Sequence, residues 1–490
     1  MIHKKNFTDL RTQYSKFSFD EINIIESDNI LHISYVYKIH VNEEAENSES
    51  VEDINFTHSI IVNKKTSENL PAEDISAAIF YLGVAEMVNY WKISCAKIIE
   101  INTGFLDTYQ ENWFKNLFYN GLGEFIYINN IVVSEKDFFE FHYSEKLKQD
   151  CKDANGSKFA PLSNILLSET ILLPVGGGKD SIVSYELLKP EFSKALTLFS
   201  VNPIEATKRL FKKAEESEEN IQNIQVQRIL DKKIVHCNGD GFLNGHVPFS
   251  ALLGFITVLT SLVHGKKYIL LSNESSANEE NVIFEGLKVN HQFSKSLKFE
   301  DDFRSFVNKY IHPYLEYISF LRPLSEIQIG KIFAEFPENF PIFKSCNSGS
   351  KKDIWCNACP KCLFAYIILF PFVGKENMLT IFGQDLFENS DMQEMFHDLV
   401  DESRVKPFEC VGTYSEVNLA LRMSFYQYNA ESIKDFPILL QEYIATYSND
   451  GFEELDVLEN SEELTKIDEE NNNLDKIPSK FFDVIKREFE

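Results

Sequence analysis

The feature that most restricts the fold is the glycine-rich turn at residues 174–181, PVGGGKDS. The apolar stretch before it, Ile171–Pro174, predicts a buried strand, and Asp180–Lys189 has the spacing of a helix. Three consecutive glycines between a strand and a helix let backbone N–H groups approach an anion closely, and the helix start adds partial positive charge. The turn therefore predicts an α/β fold with an anion-binding loop. The simpler alternative is a plain tight turn.

Strands and helices continue to alternate after this turn. The pattern predicts strands at Ala195–Val201 and Tyr268–Ser272, and helices at Ile204–Glu216 and Phe249–His264. Such alternation is typical of a parallel sheet with crossover helices. We therefore expect an α/β fold class, with a parallel-sheet domain over residues 166–365.

The rest of the chain predicts two further parts. Residues 1–150 have the pattern of an α+β domain, with a helix expected from residue 72 to about 100. A polar linker is predicted at 151–165, and a mixed C-terminal region at 366–490 includes an acid-rich tail at 452–470. Within the first part, one strand is predicted whose alternate residues share a single face: Leu31, Ile33, Tyr35, Tyr37 and Ile39.

Charge and hydropathy narrow the function classes. The 490 residues carry a formal net charge of -27, which opposes binding to nucleic acid or to anionic membranes. The N-terminus lacks the apolar segment of a signal peptide, and the longest apolar runs, such as 367–373, are too short to span a bilayer. We expect a cytoplasmic protein that binds neither nucleic acid nor membrane. The sequence makes no prediction about the oligomeric state.

Two common phosphate loops do not fit the glycine-rich turn. A Walker A loop would need glycine at Leu173 and Ser or Thr at Asp180, and a dinucleotide loop would need glycine at Ser181. The turn instead resembles the pyrophosphate-binding loop of the ATP pyrophosphatase superfamily, Ser-Gly-Gly-x-Asp-Ser, with Gly176 in place of the first serine. This resemblance implies that the loop holds the β and γ phosphates of ATP. It also implies that a substrate oxygen attacks the α phosphate, which releases pyrophosphate.

Residues 245–281 look like a second signature of that superfamily, a helix followed by a strand that ends in a polar loop. Ligands of open α/β sheets bind at the carboxyl ends of the strands, so the polar residues 272–281 are predicted to contact substrate or Mg²⁺. The alternative is an ordinary hydrophilic loop. The resemblance implies these ATP-contacting residues: Gly176, Gly177, Gly178, Lys179, Asp180, Ser181, Ser272, Asn273 and Glu274.

Four of the eight cysteines cluster late in the chain: Cys346, Cys356, Cys359 and Cys362. Four thiolates with this spacing predict a tetrahedral structural zinc site. A redox pair, unliganded cysteines or an iron–sulfur cluster are the alternatives. The arrangement is similar to the zinc knuckle that follows the ATP pyrophosphatase domain of 7-cyano-7-deazaguanine synthase.

Four segments together resemble a narrower family: GGGKDS at 176–181, SNESSAN at 272–278, VNHQFSKS at 289–296 and CNACPKC at 356–362. They look like the ATP-dependent UDP-N-acetylmuramoyl-L-alanyl-L-glutamate epimerases, and the resemblance covers most of the chain. It implies an isomerase of peptidoglycan synthesis that uses ATP and Mg²⁺ on a nucleotide-sugar dipeptide, UDP-MurNAc-L-Ala-L-Glu. Such an enzyme adenylates the terminal glutamate carboxylate, inverts the α-carbon, and releases AMP and pyrophosphate.

Two other functions remain open from the residues. One is an ATP-dependent ligase similar to 7-cyano-7-deazaguanine synthase, or another base- or tRNA-modifying enzyme of the superfamily. The other is a nucleotide-sensing or scaffold protein with an inactive loop. The acidic net charge disfavours tRNA as a partner, and intact Asp180 and Ser181 disfavour an inactive loop.

The resemblance suggests catalytic roles for Lys179 and Asp180 in the loop and for His291 and Lys295 downstream. Epimerisation needs a base and an acid on opposite faces of the α-carbon. His291 could move the proton and Lys295 could bind phosphate or carboxylate, although a structural histidine is an equal alternative. His246 could equally flank the nucleotide.

The stretch ECVGTYSEV predicts a helix that starts after Thr413, with Glu416 completing a capping box. The exposed N–H groups of such a helix start could bind an anion of the substrate. An ordinary helix cap is the simpler interpretation.

Overall fold

The structure is a computed structural model. It describes residues 5–45, 52–64, 72–145, 147, 165–428, 432–447, 462–467 and 474–489. Nearly all of the predicted linker and most of the predicted acidic tail lie outside these residues. The statements below concern the described residues.

The strands are β1 (Tyr14–Glu26), β2 (Ile30–Val41), β3 (Ile54–Asn63), β4 (Ile98–Ile101), β5 (Glu140–Tyr143), β6 (Ser168–Pro174), β7 (Leu196–Val201), β8 (Gln222–Ile229), β9 (Lys266–Leu271), β10 (Val282–Phe284), β11 (Leu287–Val289) and β12 (Glu316–Ser319). The α-helices are α1 (Phe7–Gln13), α2 (Ser76–Glu86), α3 (Val88–Ser94), α4 (Thr108–Gly121), α5 (Gly123–Ile128), α6 (Glu135–Phe138), α7 (Lys179–Phe192), α8 (Glu205–Glu215), α9 (Lys233–Gly239), α10 (Phe249–Val263), α11 (Leu297–Tyr310), α12 (Glu326–Ala334), α13 (Pro360–Val373), α14 (Lys375–Phe382), α15 (Gln393–Val400), α16 (Tyr414–Ser424), α17 (Ile438–Tyr447), α18 (Glu462–Thr465) and α19 (Ser479–Lys486). Both sets together make a mixed α/β fold, as the sequence predicted.

The chain divides into two units that alternate along the sequence. The first unit contains Met1–Thr170, Ile224–Ile269 and Ile283–Glu316, and the second contains Ile171–Asn223, Leu270–Val282 and Tyr317–Glu490. The range predicted as one parallel-sheet domain, 166–365, therefore contributes segments to both units. Its boundaries stay a prediction, because these units are defined by packing and not by sequence order.

The first unit is built on six neighbouring strands in the order β8, β3, β2, β1, β4, β5. The first four pair antiparallel, whereas β1, β4 and β5 pair in parallel. The predicted strand with its shared face is confirmed in β2, and the structure buries that face, since the five alternate residues are all at most 1% exposed. The predicted long helix was too long. The structure has α2 and α3 only as far as Ser94, because Cys95 takes a left-handed conformation, and β4 follows.

Helix α2 lies very close to this sheet at Gly83. A Cβ atom at Gly83 would lie 2.6 Å from the ring of Phe19 and 2.7 Å from that of Tyr35, so only glycine fits this approach. The hydroxyl of Tyr37 donates a hydrogen bond of 2.7 Å to the Gly83 carbonyl. The close contact buries the aromatic face of the sheet against the helix.

A buried ion pair joins α2 to β8. Arg228 donates hydrogen bonds of 2.8 and 2.7 Å to the two carboxylate oxygens of Glu86, which is completely buried. Burial alone would raise the pKa of Glu86, but Arg228 and His58 outweigh it and hold that pKa well below its usual range. The pair is a structural feature of the first unit.

In the second unit, β6 and β7 pair in parallel from Ile171 opposite Leu196 to Pro174 opposite Phe199. This confirms the parallel pairing expected for the segment around the glycine-rich turn. Helix α13 is almost entirely apolar and buried, and it packs against α12 and α16. Helix α12 in turn packs against α7. In the part of the chain that the structure describes, the helices are all too short or too polar to cross a bilayer.

Candidate active site

The glycine-rich turn joins β6 to α7 in the second unit. Gly177 has a φ of +85°, and a Cβ atom there would lie 2.9 Å from the Ala206 side chain, so this position requires glycine. A Cβ atom at Gly176 would meet nothing within 4 Å. Gly178 caps α7 without a side chain, and the Ser181 hydroxyl donates 3.0 Å to its carbonyl. The turn is exposed at Gly176 and leads directly into the N-terminus of α7.

A lysine and three carboxylates meet at the start of α7. The Lys179 ammonium donates to the carboxylates of Asp180 and Glu326. Carboxylate oxygens of Asp180, Glu274 and Glu326 all lie within 4.8 Å of one another, close enough to hold one metal ion. Lys179, Glu274 and Glu326 are each at most 3% exposed. We call these four residues the Lys179 cluster.

Burial controls the electrostatics of this cluster. Burial and the negative charges of Asp180 and Glu274 raise the pKa of Glu326 to about 7, against the opposing effect of Lys179 and Lys361. Burial would lower the pKa of Lys179, but Asp180 and Glu326 outweigh it and raise that pKa well above its usual range. A cation that joined the three carboxylates would relieve their mutual repulsion.

The sequence did not point to Glu326. It is the first residue of α12, and the capping box formed by Ser325 and Gln328 marks that helix start. The capping pattern could have located the helix, but nothing in it indicates that Glu326 faces a loop 147 residues away.

The other predicted ATP contacts lie after β9 in the same unit. Ser184 donates 2.8 Å to the Ser272 hydroxyl, and the Asn273 amide donates 2.9 Å to Ser319. Arg322 donates 2.6 Å to the Glu274 carbonyl and so fixes the backbone that places the Glu274 carboxylate. Of the three predicted residues, Glu274 is the one whose side chain belongs to the Lys179 cluster.

The four clustered cysteines come together in the second unit, as predicted. The Sγ atoms of Cys346, Cys356, Cys359 and Cys362 lie within 4.8 Å of one another, and three of the four residues are buried. The Gly349 N–H donates to the Cys346 sulfur at 3.0 Å, the kind of outer contact that orients a thiolate ligand. This donor set fits zinc with four sulfur ligands. Cys359 also occupies the N-cap position of α13, so the cluster lies at the start of that helix.

The helix start at Thr413 is an ordinary cap. The Thr413 hydroxyl accepts from the Glu416 N–H at 3.2 Å, and the Glu416 carboxylate accepts from the Thr413 N–H at 2.7 Å. The other Glu416 oxygen accepts from the Glu326 N–H at 2.6 Å. The negative charge of Glu416 therefore lies at the starts of both α12 and α16. Because this charge would repel an anion, the structure favours an ordinary helix cap over an anion-binding site.

A second polar cluster lies in the first unit, around His291. His291 Nδ1 is 2.5 Å from a Glu124 carboxylate oxygen, and the rings of His291 and His246 have centroids 4.2 Å apart. Lys295 donates 3.2 Å to the Gln292 side chain. We call Glu124, His246 and His291 the His291 cluster. Glu124 was not expected from the sequence.

Two lysines influence the His291 cluster. Burial, His291, Lys92 and Lys295 together lower the pKa of His246 to about 3, so its ring is neutral at pH 7. Lys92 is 6% exposed and donates to the Gly245 carbonyl, next to His246 in the chain. Burial lowers the pKa of Lys92 to about 8. The sequence did not single out Lys92, because a lysine on a short helix resembles any solvated lysine.

The structure therefore assigns the predicted site residues to two groups. Lys179, Asp180 and Glu274 belong to the second unit with the four cysteines, and His291 and Lys295 belong to the first. Each group has a partner that the sequence did not indicate, Glu326 in one and Glu124 in the other.

These features define a mixed α/β protein with a glycine-rich turn between a strand and a helix, a buried carboxylate cluster and a four-cysteine cluster. The chain belongs to the MurL family. Residues 8–320 match the MurL N-terminal domain, and residues 342–454 match the MurL C-terminal domain.

Three relatives carry the name UDP-N-acetyl-alpha-D-muramoyl-L-alanyl-L-glutamate epimerase. The one from Xanthomonas oryzae pv. oryzae is 31% identical over 71% of this chain and 75% of its own length. The one from Salinispora tropica is 36% identical over 51% of this chain and 55% of its own length. The one from Micromonospora sp. is 32% identical over 55% of this chain and 59% of its own length. The chain thus spans little more than half of two of these relatives. The prediction of an epimerase agrees with all three names.

Proposed function

We propose that this protein is an ATP-dependent epimerase that converts UDP-MurNAc-L-Ala-L-Glu to UDP-MurNAc-L-Ala-D-Glu. Its relatives' names support the substrate and the inversion. The observation that carries the ATP dependence is the Lys179 cluster, which lies directly after a glycine-rich turn. We propose AMP and pyrophosphate as the other products, because the turn resembles loops that act between the α and β phosphates.

The chemistry explains why ATP is needed. The α C–H bond beside a carboxylate is a very weak acid, because its deprotonation would add negative charge to an anion. Attack of the glutamate carboxylate on the α phosphate removes that charge and forms an activated acyl group. A base can then remove the α proton, and protonation from the opposite face inverts the centre. Hydrolysis of the acyl adenylate releases AMP and the D-glutamyl product.

The residues of the turn would bind the phosphates. Backbone N–H groups of Gly176, Gly177 and Gly178 are suited to phosphate oxygens, and Ser181 is held at the start of α7. The Lys179 ammonium would exchange its carboxylate partners for phosphate oxygens. Its burial supports this role, because a charge is more effective in a site from which water is excluded.

The three carboxylates of the Lys179 cluster fit a hard divalent cation such as Mg²⁺, which prefers oxygen ligands. Mg²⁺ bound there would neutralise charge on the triphosphate. We assign this binding to Asp180, Glu274 and Glu326. Ser272 and Asn273 would hold the polar loop that presents Glu274.

His291 and Lys295 are our candidates for the glutamyl end of the substrate. His291 is largely buried and contacts a carboxylate, which suits a general base, and Lys295 lies within electrostatic reach of His246. We propose that His291 moves the proton and that Lys295 binds a carboxylate or phosphate. The four cysteines would hold a structural Zn²⁺, since four thiolates leave no open position for substrate.

The deciding experiment is incubation of the purified protein with ATP, Mg²⁺ and UDP-MurNAc-L-Ala-L-Glu, followed by chiral analysis of the glutamate. We expect D-glutamate in the product only when ATP is present, with AMP and pyrophosphate formed alongside it. Retention of L-glutamate would refute the epimerase. Inversion with release of ADP and phosphate would leave the epimerase standing and refute the adenylation step.

A further inference from the structure

The contact between Glu124 and His291 is short and sheltered. His291 Nδ1 lies 2.5 Å from Glu124 Oε2, and the two side chains are 12% and 15% exposed. A contact of this length between an imidazole and a carboxylate is a charge-assisted hydrogen bond. It decides which nitrogen of His291 carries the proton when the ring is neutral.

Backbone packing brings these two residues together. Glu124 is the second residue of α5, and a Cβ atom added to the first, Gly123, would be in ordinary van der Waals contact with the Val289 side chain at 3.4 Å. Val289 ends β11, and His291 follows two residues later. The contact of α5 with β11 therefore sets the distance between the carboxylate and the ring.

The hydrogen bond to Glu124 also determines whether the other ring nitrogen of His291, Nε2, carries a hydrogen. A carboxylate can only accept, so Nδ1 must donate its hydrogen to Glu124. In the neutral ring Nε2 then has no hydrogen and carries a basic lone pair. When Nε2 takes up a proton, the adjacent carboxylate stabilises the imidazolium that forms.

The surroundings favour proton transfer over metal binding. Glu124, His246 and His291 have ligand atoms within 4.8 Å of one another, which alone would suit a metal ion. However, Lys92 and Lys295 both act on His246 electrostatically, and their positive charges oppose the binding of a metal cation there. The same charges attract an anionic group such as the second carboxylate of the glutamyl residue, which stays ionised when the first is activated.

We propose that Glu124 is a positioning residue that holds His291 with its hydrogen on Nδ1, so that Nε2 removes the α proton of the glutamyl residue. The inference rests on the proposed function. The α C–H bond breaks, its proton goes to Nε2, and its electron pair delocalises into the acyl group of the adenylate. A proton from solvent, delivered to the opposite face, then completes the inversion.

The first test is independent of catalysis. In protein labelled with ¹⁵N-histidine, His291 is assigned by comparison with His291→Asn, and its neutral form is expected to have the hydrogen on Nδ1. Glu124→Ala should remove this preference, whereas Glu124→Gln, whose amide oxygen can still accept, should retain it. A hydrogen on Nε2 in the wild-type neutral ring would overturn the proposal.

The second test measures exchange of the substrate α proton in D₂O with ATP and Mg²⁺ present. Glu124→Ala should lower the exchange rate by about 10²-fold, a typical contribution of general acid–base catalysis. Glu124→Gln should lower it by less, and KM should change little in either variant. The matched control is Glu111→Gln, because Glu111 is a half-buried carboxylate of the same unit that accepts from the Tyr143 hydroxyl at 2.8 Å.

The outcomes separate the two proposals. If wild type does not invert the substrate, the proposed function fails, while the tautomer of His291 still tests the Glu124 contact. If wild type inverts it and Glu124→Ala exchanges the proton within twofold of wild type, the positioning role is wrong. A second zinc ion per chain that is lost in His246→Asn would also overturn it, because the cluster would then be a metal site.

Discussion

The Lys179 ammonium and the Glu326 carboxylate form a salt bridge in which the two residues are 3% and 1% exposed. Removal of one partner from such a pair leaves an uncompensated charge in the interior, which costs more than loss of the pair itself. The bridge joins the first turn of α7 to the first turn of α12.

We therefore predict that Lys179→Met lowers the free energy of unfolding by about 3–5 kcal/mol above pH 7, where Glu326, with its pKa of about 7, is ionised in wild type. Lys179→Met combined with Glu326→Gln should lose clearly less than the sum of the two single changes, because both buried charges are gone. Chemical denaturation of the four proteins measures this coupling. The control is Lys189→Met on the same helix, whose partly exposed lysine lies 3.9 Å from Glu219 and should cost about 1 kcal/mol or less. Strict additivity would contradict the prediction.

Asp180→Asn should abolish formation of AMP and pyrophosphate without loss of the fold. Asp180 is half-buried at the start of α7, and the amide cannot supply the negative charge that a divalent cation needs. Product analysis by chromatography measures the effect, and circular dichroism checks the fold. Glu205→Gln, an exposed carboxylate at the start of α8, should keep full activity. Normal AMP formation by Asp180→Asn would remove this residue from the site.

Freshly purified protein should contain about one zinc ion per chain. Cys359→Ser should remove that zinc and lower the free energy of unfolding by several kcal/mol, because it loses a ligand and weakens the start of α13. Elemental analysis and thermal unfolding are the measurements. Cys410→Ser, outside the cluster, should retain the metal. Protein with neither zinc nor iron would show that the four cysteines serve another purpose.

Acid should destabilise the protein partly through His246. Its pKa is lowered to about 3 in the folded protein and returns to about 6.5 on unfolding, so the unfolded chain binds more protons between these values. Stability from this residue is present above about pH 6.5 and is lost as the pH falls toward 3. We expect His246→Gln to lose less stability than wild type between pH 7 and pH 5, as measured by denaturation. His142→Gln, an exposed histidine of the same unit, should behave as wild type.

In D₂O, the inverted glutamyl residue should carry deuterium at its α-carbon, because the proposed route breaks the C–H bond. Mass spectrometry of the product measures this. Free L-glutamate should not racemise, since a site that gains its binding energy from a nucleotide-sugar cannot use so small a ligand well. If inverted product lacks deuterium, a substrate labelled at the α-carbon decides, and absence of a primary isotope effect would refute proton abstraction.

Short stretches of sequence determined the local structure. The strand, turn and helix around residues 171–192, the alternating face of β2, the cap at Thr413 and the grouping of the four cysteines all followed from spacing within a few residues. Such patterns are readable because helix, strand and turn geometry depend mainly on neighbours in the chain. The family resemblance depended on the same short motifs.

Tertiary structure alone decided which distant charges meet. Glu326 contacts Lys179 across 147 residues, and Glu124 contacts His291 across 167. In the sequence both glutamates look like ordinary polar residues at helix starts, because the sequence does not show whether a carboxylate is solvated or buried. Packing of α12 against α7 and of α5 against β11 removes water from these groups and sets their partners. Burial and proximity, which no local pattern encodes, then raise the pKa of Glu326 and give Glu124 its histidine partner.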